Sequence, residues 1–292
     1  MVSSEAGSSA AGSMDLVSWR AELGAGRLHP DAARAVGVLL GGSAFDTSVF
    51  ALPGVQRRRL VAEASNPEAA DALEQRLFID PYVAEVEASV PGGDDVRELR
   101  ADRLLLREVS LARQRFQEDA QSLAHGALDT EAVLLGTEGA VQVAEGTFPA
   151  YAPSGFDLGT IWGSLLVAVA QAMVEGRAED AEQVLLLPIE LIDWFEAEYT
   201  RRWPERVDTR VYGDDILSIT LRRIRSDAAI YAALEAVRRI VGSGPELAAL
   251  PAIDRTALVR RVLDAARTLG VARLIDPDPA RLTKLLREPL LS

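Results

Sequence analysis

Leu158-Gly159-Thr160-Ile161-Trp162-Gly163-Ser164-Leu165-Leu166-Val167-Ala168-Val169-Ala170-Gln171-Ala172-Met173-Val174 is the longest uncharged stretch of the sequence, and its reading decides the fold. It falls short of the roughly 20 apolar residues that a comfortable membrane span needs. Thr160, Ser164 and Gln171 interrupt it, as do two glycines. A helix that is apolar all round belongs either in a membrane or in the core of a large protein. The core is the better reading, and it makes this an all-α protein with no membrane partner.

Upstream, residues 136–159 break the helical grammar. Gly136, Gly139, Gly146, Pro149, Pro153, Gly155 and Gly159 leave no room for a long helix. The segment is not a polar linker, because Phe148, Tyr151 and Phe156 lie in it and Trp162 just beyond. Of 16 aromatic residues in the chain, these four fall within 15 positions. Long irregular connections are usually functional or disordered, and aromatic content argues against disorder.

Helix signals cover the rest. Pro30 opens a segment carrying Ala33, Val36 and Leu40, and Asn66-Pro67-Glu68 supplies a cap, a first-turn proline and an acid. Leu105, Val109, Ala112, Phe116, Ala120 and Leu123 recur at intervals of three and four. Phe195, Tyr199 and Trp203 form one face of the segment Pro188 to Trp203, an aromatic core face with Asp193, Glu196 and Glu198 around it. Leu217, Leu221, Ile224, Ala228 and Tyr231 form another stripe. Asp254 and Asp278-Pro279 start the last two helices, the first of them ended by Gly270. Strand signals are thin, at Val141 to Val143 and at Val207, Thr209 and Val211, enough for one short β-hairpin at most. The expected architecture is therefore a multi-helix bundle or helical-hairpin array. It divides into a flexible tail at 1–14, an acidic helical region at 15–135, the connecting segment 136–159 and a second helical region at 160–292.

Leu23-x-x-Gly26-x-Leu28-x-x-Asp31-Ala32 matches Leu123-x-x-Gly126-x-Leu128-x-x-Glu131-Ala132, and a looser copy surrounds Gly176. A helix ended by glycine, a short loop and an acid-started helix make an αα-hairpin. Helix connections in general take this form, so the similarity does not by itself establish a repeat scaffold.

The 292 residues are 48% hydrophobic and 26% charged, ordinary globular values. The absence of cysteine excludes disulfides and thiolate chemistry. Lys284 is the only lysine and Asn66 the only asparagine, a skew that GC-rich bacterial codon usage produces. A net charge of -13 argues against nucleic acid as the main partner. Residues 201–292 carry 17 basic and 12 acidic side chains, a balance of +5, whereas residues 1–200 carry 14 basic and 32 acidic, a balance of -18. Such halves attract each other or face partners of opposite charge. Residues 1–13 have no charged start and no long apolar core, so they do not read as a signal peptide, and Met14 is a second candidate start.

Chemistry is sparse. His29 and His125 sit at equivalent loop positions and are too few for a histidine metal site. A Gly-x-Ser-x-Gly elbow and a glycine-rich loop ending in Gly-Lys are both absent. Asp94-Asp95-x-x-Glu98 resembles, in those few residues, the spacing by which class I terpene synthases hold magnesium, and Asp214-Asp215-x-x-Ser218 is similar to their second metal motif. Arg222 stands where that motif would be acidic, and both clusters occupy positions that helix starts select for aspartate. The family is not assigned on that basis. Adjacent arginines at 57–59, 222–223, 238–239 and 260–261 read as solvated helix surface, with an anion-binding groove as the alternative.

The function expected from these residues is a non-enzymatic, cytoplasmic helical adaptor or scaffold without a cofactor. It would bind a protein partner, or itself, through Phe148, Tyr151, Phe156 and Trp162. Two alternatives stand beside it. One is a magnesium- and carboxylate-dependent enzyme acting on a phosphorylated or diphosphate substrate through Asp94, Asp95, Glu98, Asp214 and Asp215. The other is a structural subunit of a larger assembly.

Overall fold

The computed structural model describes residues 16–83, 92–126, 128–136, 139–144, 146, 149–241 and 250–292. Helices dominate, as the periodicities imply. In chain order they are α1 (Trp19–Gly24), α2 (Pro30–Asp46), α3 (Gly54–Glu63), α4 (Pro67–Glu74), α5 (Asp80–Val83), α6 (Gly93–Ala101) and α7 (Arg103–Glu118). After a β-rich segment come α8 (Phe156–Val174), α9 (Ala178–Val184), α10 (Leu187–Arg202), α11 (Asp214–Val241), α12 (Ala252–Ala272) and α13 (Pro279–Leu291). A π-helical turn, Gln75–Ile79, joins α4 to α5.

Several starts follow the chemistry of their caps. Asn66 accepts the Ala69 N–H at 3.1 Å, and Asp278 accepts that of Arg281 at 3.0 Å. Asp102 accepts from both Leu104 and Leu105, and so begins α7 at Arg103, just ahead of the apolar stripe. That helix stops early. Leu123, last in the stripe, lies in a strand.

Strands exceed the one hairpin expected. β1 (Val17–Ser18), β3 (Val133–Leu135) and β4 (Val141–Val143) form an antiparallel sheet in the order β1-β3-β4. β2 (Ser122–Ala124) pairs antiparallel with β5 (Ala150–Ala152), Leu123 opposite Tyr151. The alternation at Val207, Thr209 and Val211 makes no strand but a turn, with Asp208 at φ 51°. The Leu23 and Leu123 similarity divides the same way. Gly26 and Gly176 take the left-handed conformation just past α1 and α8, whereas Gly126 takes it after β2. Its backbone need was readable; the element before it was not. The proposed tail lies outside the described residues.

The uncharged stretch is α8, and it is the core helix expected, with Ile161, Trp162, Leu165, Leu166, Val169 and Ala170 fully buried. Its glycines recur every fourth residue on the face toward α11. A Cβ at Gly155 would come 2.5 Å from the Ile224 carbonyl oxygen. At Gly159 it would come 2.5 Å from the Tyr231 Cβ, and at Gly163 2.6 Å from the Ala232 carbonyl oxygen. The partner face of α11 is Ala228, Ala229, Ala232 and Ala236, all buried. The two backbones thus approach closely along three turns. α2 packs on α10 by the same device, with Gly37 against the Leu191 carbonyl and Gly41 against that of Phe195.

Residues 15–135 and 160–292 feed one continuous apolar cluster. Phe78, Phe116, Phe156 and Tyr231 form a chain of ring contacts at 5.1–5.6 Å that ties α7, α8 and α11 together. Phe45, Tyr199 and Trp203 join α2 to α10. The aromatic stripe of α10 is therefore core, as the spacing implies. The segment 136–159 is not an extended connector; it holds β4, β5 and the first turn of α8.

Because the Gly41 Cβ position lies 2.4 Å from a backbone oxygen, neither partner can yield cheaply. Gly41→Ala is expected to lower stability by about 1–3 kcal/mol, read as an earlier thermal unfolding midpoint. Gly24→Ala, at the end of α1 where an added Cβ meets nothing within 4 Å, serves as the control for glycine removal without a clash.

Candidate functional site

The polar groups with the most organised surroundings lie on the loop between β2 and β3. Its first residues are fastened from below. Asp157, in the first turn of α8, is buried, and its carboxylate accepts the His125 N–H at 2.7 Å and the Gly126 N–H at 3.3 Å. Burial pushes the Asp157 carboxyl above the usual range, and the two N–H donors and His125 oppose that. The left-handed Gly126 turns the chain there. His125 sends its Nε2–H to the Ala144 carbonyl oxygen at 2.7 Å, which spans the loop after β4. Nε2 is therefore the protonated nitrogen, and Nδ1 is left as a buried acceptor without a hydrogen bond. Gly146 lies on the same ring; a Cβ there would stand 2.7 Å from the His125 carbonyl oxygen.

The far side of the loop is fastened to α11. Asp129 Oδ1 caps the following turn, accepting from Glu131 at 2.8 Å and Ala132 at 3.1 Å. Its Oδ2 pairs with Arg239. Arg239 is buried and is held in turn by Glu235 at 2.9 Å, to which Arg238 also binds through both carboxylate oxygens. Ser164 of α8 accepts the Thr130 N–H at 3.3 Å. Ser164, Thr130, Gln171 and Arg239 line a small recess of about 20 Å³ under α1. The loop is thus a rigid strand-loop-strand shelf with a carboxylate, a buried guanidinium and hydroxyl groups at one edge. Such a set binds polyol hydroxyls and anions.

The residues expected to act lie elsewhere. Phe156 and Trp162 are fully buried core and offer no surface to a partner. Tyr151 is partly buried, donates its hydroxyl to the Thr47 carbonyl at 3.1 Å, and has the Arg57 guanidinium over its ring. Phe148 lies outside the described residues. The two acidic clusters do not meet. Asp95 pairs with Arg260 at 3.4 Å and Glu98 with Arg267 at 3.3 Å, both on α12, and Asp94 pairs with Arg97. Asp214 accepts from Trp203 Nε1 and Arg206 at 3.1 Å, at the start of α11 beside Asp215. The end of α12 meets α11 at Ser226, through Arg273. At 1.5 Å per residue, Asp95 and Asp214 then lie roughly 35–40 Å apart along that helix pair. No group of three or more His, Asp and Glu able to hold a metal occurs among the described residues. Asp129 and Asp157 escaped the sequence reading, and His125 and Arg239 were read only as a loop histidine and as helix surface, because three-residue strands give too short a pattern to mark a loop between them.

No family model matches the chain. Curated relatives do. A methylthioribose kinase of Klebsiella pneumoniae (strain 342) is 30% identical over 270 residues, which are 88% of this chain and 66% of that protein. One of Citrobacter koseri is 29% identical over 273 residues, 89% of this chain and 66% of its own length. One of Cronobacter sakazakii is 31% identical over 231 residues, 77% of this chain and 58% of its own. The chain thus spans just under two thirds of the length of these relatives. They are enzymes aligned along most of the chain, and they overturn the expectation of a non-enzymatic adaptor and of a protein-interaction role. The alternative of an enzyme in phosphate chemistry stands closer to them, although not through the aspartates first considered for it.

Removing the Asp157 carboxylate leaves two buried N–H groups without an acceptor, at about 1–3 kcal/mol. Asp157→Ala is expected to lower the thermal midpoint accordingly. It should also accelerate amide exchange at His125 and Gly126, measured by NMR.

Proposed function

We propose that this chain is a sugar-binding member of the methylthioribose kinase line whose catalytic loop is depleted, so that it holds the sugar but transfers phosphate slowly. The observation that carries the reading is the shelf at 125–132, set between strands, anchored by Asp157, and lying within a chain aligned over most of its length with kinases.

Kinases position a substrate hydroxyl against an aspartate base, hold magnesium with carboxylate and amide oxygens, and cradle phosphates with a lysine and a glycine-rich loop. In protein kinases the catalytic loop reads His-Arg-Asp-Leu-x-x-x-Asn. Here the shelf reads His125-Gly126-Ala127-Leu128-Asp129-Thr130-Glu131-Ala132. The histidine and leucine of that pattern stand in place. Ala127 occupies the position of the base and Ala132 that of the metal-binding asparagine. Glu145 is the one carboxylate in the sequence between β4 and β5, and it lies outside the described residues. The only lysine, Lys284, is exposed on α13. The donor set on this shelf does not fit a magnesium ion, and no transfer step is assigned to one.

What the chain's own residues support is binding. Asp129, oriented by Arg239, offers a carboxylate at the shelf edge, while the neighbouring Thr130 is buried behind it. Arg239, backed by Glu235, holds the Asp129 carboxylate in place. The substrate class is a pentose carrying an apolar substituent, as the name of the relatives suggests. A cytoplasmic setting goes with this reading.

Calorimetric titration of the full chain with 5-methylthioribose tests it. Saturable binding is expected, weakened about tenfold by Asp129→Asn, which removes a charged acceptor. Phosphoryl transfer from ATP should fall far below the roughly 1–100 per second typical of kinases, and Ala127→Asp should raise it. No binding of the sugar, or transfer at an ordinary kinase rate by the unaltered chain, would contradict the proposal.

A further inference from the structure

A second opening lies away from the shelf. It is a groove of about 580 Å³ between α7, α11 and the end of α12, within the size range of small-molecule sites. Four of its lining side chains are arginines, Arg115, Arg222, Arg223 and Arg273, and its floor is Asp227. Asp227 sits about 18 Å along α11 from Arg239, on the helical rise of 1.5 Å per residue. The groove and the shelf are therefore separate places.

Three observations set this groove apart from a solvated arginine surface. Asp227 and Arg273 are each nine-tenths or more buried, which is rare for charged groups without a purpose. Their pairing is incomplete. Arg273 binds Glu108 at 2.7 Å and the Ser226 hydroxyl at 2.7 Å, yet its Nε is buried without a hydrogen bond. Arg115 Nε stands 3.1 Å from Asp227 Oδ1, while Arg115 Nη2 and Asp227 Oδ2 are buried with no hydrogen-bond partner. Orphaned buried polar atoms are few in native proteins, and several in the side chains that line one opening call for a ligand or ordered water. Finally, Arg223 pairs with Asp119 at the rim and stands 3.9 Å from Asp227 Oδ2, beyond hydrogen-bond distance, but Arg222 is exposed and makes no ion pair among the described residues.

We infer that this groove binds a phosphate monoester that also carries a hydroxyl group. Adjacent guanidinium forks at Arg222 and Arg223 match the oxygens of a phosphate dianion, which accepts several charge-assisted hydrogen bonds at once. Asp227 Oδ2 has its acceptor capacity unused and takes the ligand's hydroxyl proton as a hydrogen bond. A plain oxyanion would meet the arginines but would leave Asp227 facing it as a like charge. A neutral sugar would satisfy Asp227 and leave the arginines unused. Only a ligand with both groups answers the whole lining. The inference does not rest on the kinase reading.

Titration of the full chain with ribose 5-phosphate, ribose and inorganic phosphate separates the possibilities. Ribose 5-phosphate is expected to bind more tightly than inorganic phosphate, and ribose not to bind at this site. Arg222→Gln, at an exposed position that leaves the fold intact, should weaken ribose 5-phosphate about tenfold, the scale of one charge-assisted hydrogen bond. Asp227→Asn should narrow the preference over inorganic phosphate. Saturating 5-methylthioribose should leave the binding unchanged, since it would occupy the shelf. Failure of ribose 5-phosphate to bind, equal affinity for inorganic phosphate, or indifference to Arg222→Gln would each overturn the inference.

Discussion

The close approach of α8 to α11 is the constraint on which the rest of the structure depends. Gly155, Gly159 and Gly163 bring two backbones within a distance that any side chain would forbid. Nearly all of the α8 surface is thereby buried, which is why the helix can be apolar all round without belonging to a membrane. The same contact fixes the height of Asp157, in the first turn of α8, beneath the amides of His125 and Gly126. It also sets α11 so that Arg239 reaches Asp129. Packing of the core and placement of the shelf are therefore one event.

Burial and polarity are balanced differently in the two charged regions. On the shelf most charged groups have partners, Asp129 with Arg239 and Glu235 with Arg238 and Arg239. A buried charge that is fully paired orients its neighbours and changes little in net stability. In the arginine groove, by contrast, buried guanidinium and carboxylate atoms of the lining side chains lack hydrogen bonds. The first arrangement fixes the carboxylate at the shelf edge, and the second leaves buried polar atoms without partners. Both are built on α11, some 18 Å apart by the helical rise.

Much of the helical frame was legible in the sequence, for physical reasons that particular residues show. Asn66, Asp278 and Pro30 announce starts because capping and proline geometry are local. The 158–174 stretch announces the core because its hydropathy is continuous. The strands did not announce themselves, since three residues carry no period and their pairing is non-local. Gly155 and Gly159 read as helix breakers in the sequence, although Gly159 lies inside a helix whose partner alone gives it meaning. Aspartate pairs at 94–95 and 214–215 drew attention as metal ligands, but first-turn aspartates satisfy helix ends, and the fold keeps the pairs far apart. The shelf was visible only as a histidine beside a glycine. Its significance lies in contacts with Asp157 and Arg239, 32 and more residues away.

The dependence of the shelf on the helix contact can be measured directly. Gly159→Ala forces α8 off α11 without touching any group on the shelf. Amide exchange at His125 and Gly126, compared with that at Val36 in the α2–α10 pair, reports whether the displacement reaches Asp157. Loss of protection at His125 and Gly126 that exceeds any loss at Val36 is the result the account predicts. Unchanged protection at the shelf, in a variant whose α8 and α11 amides have loosened, would contradict it.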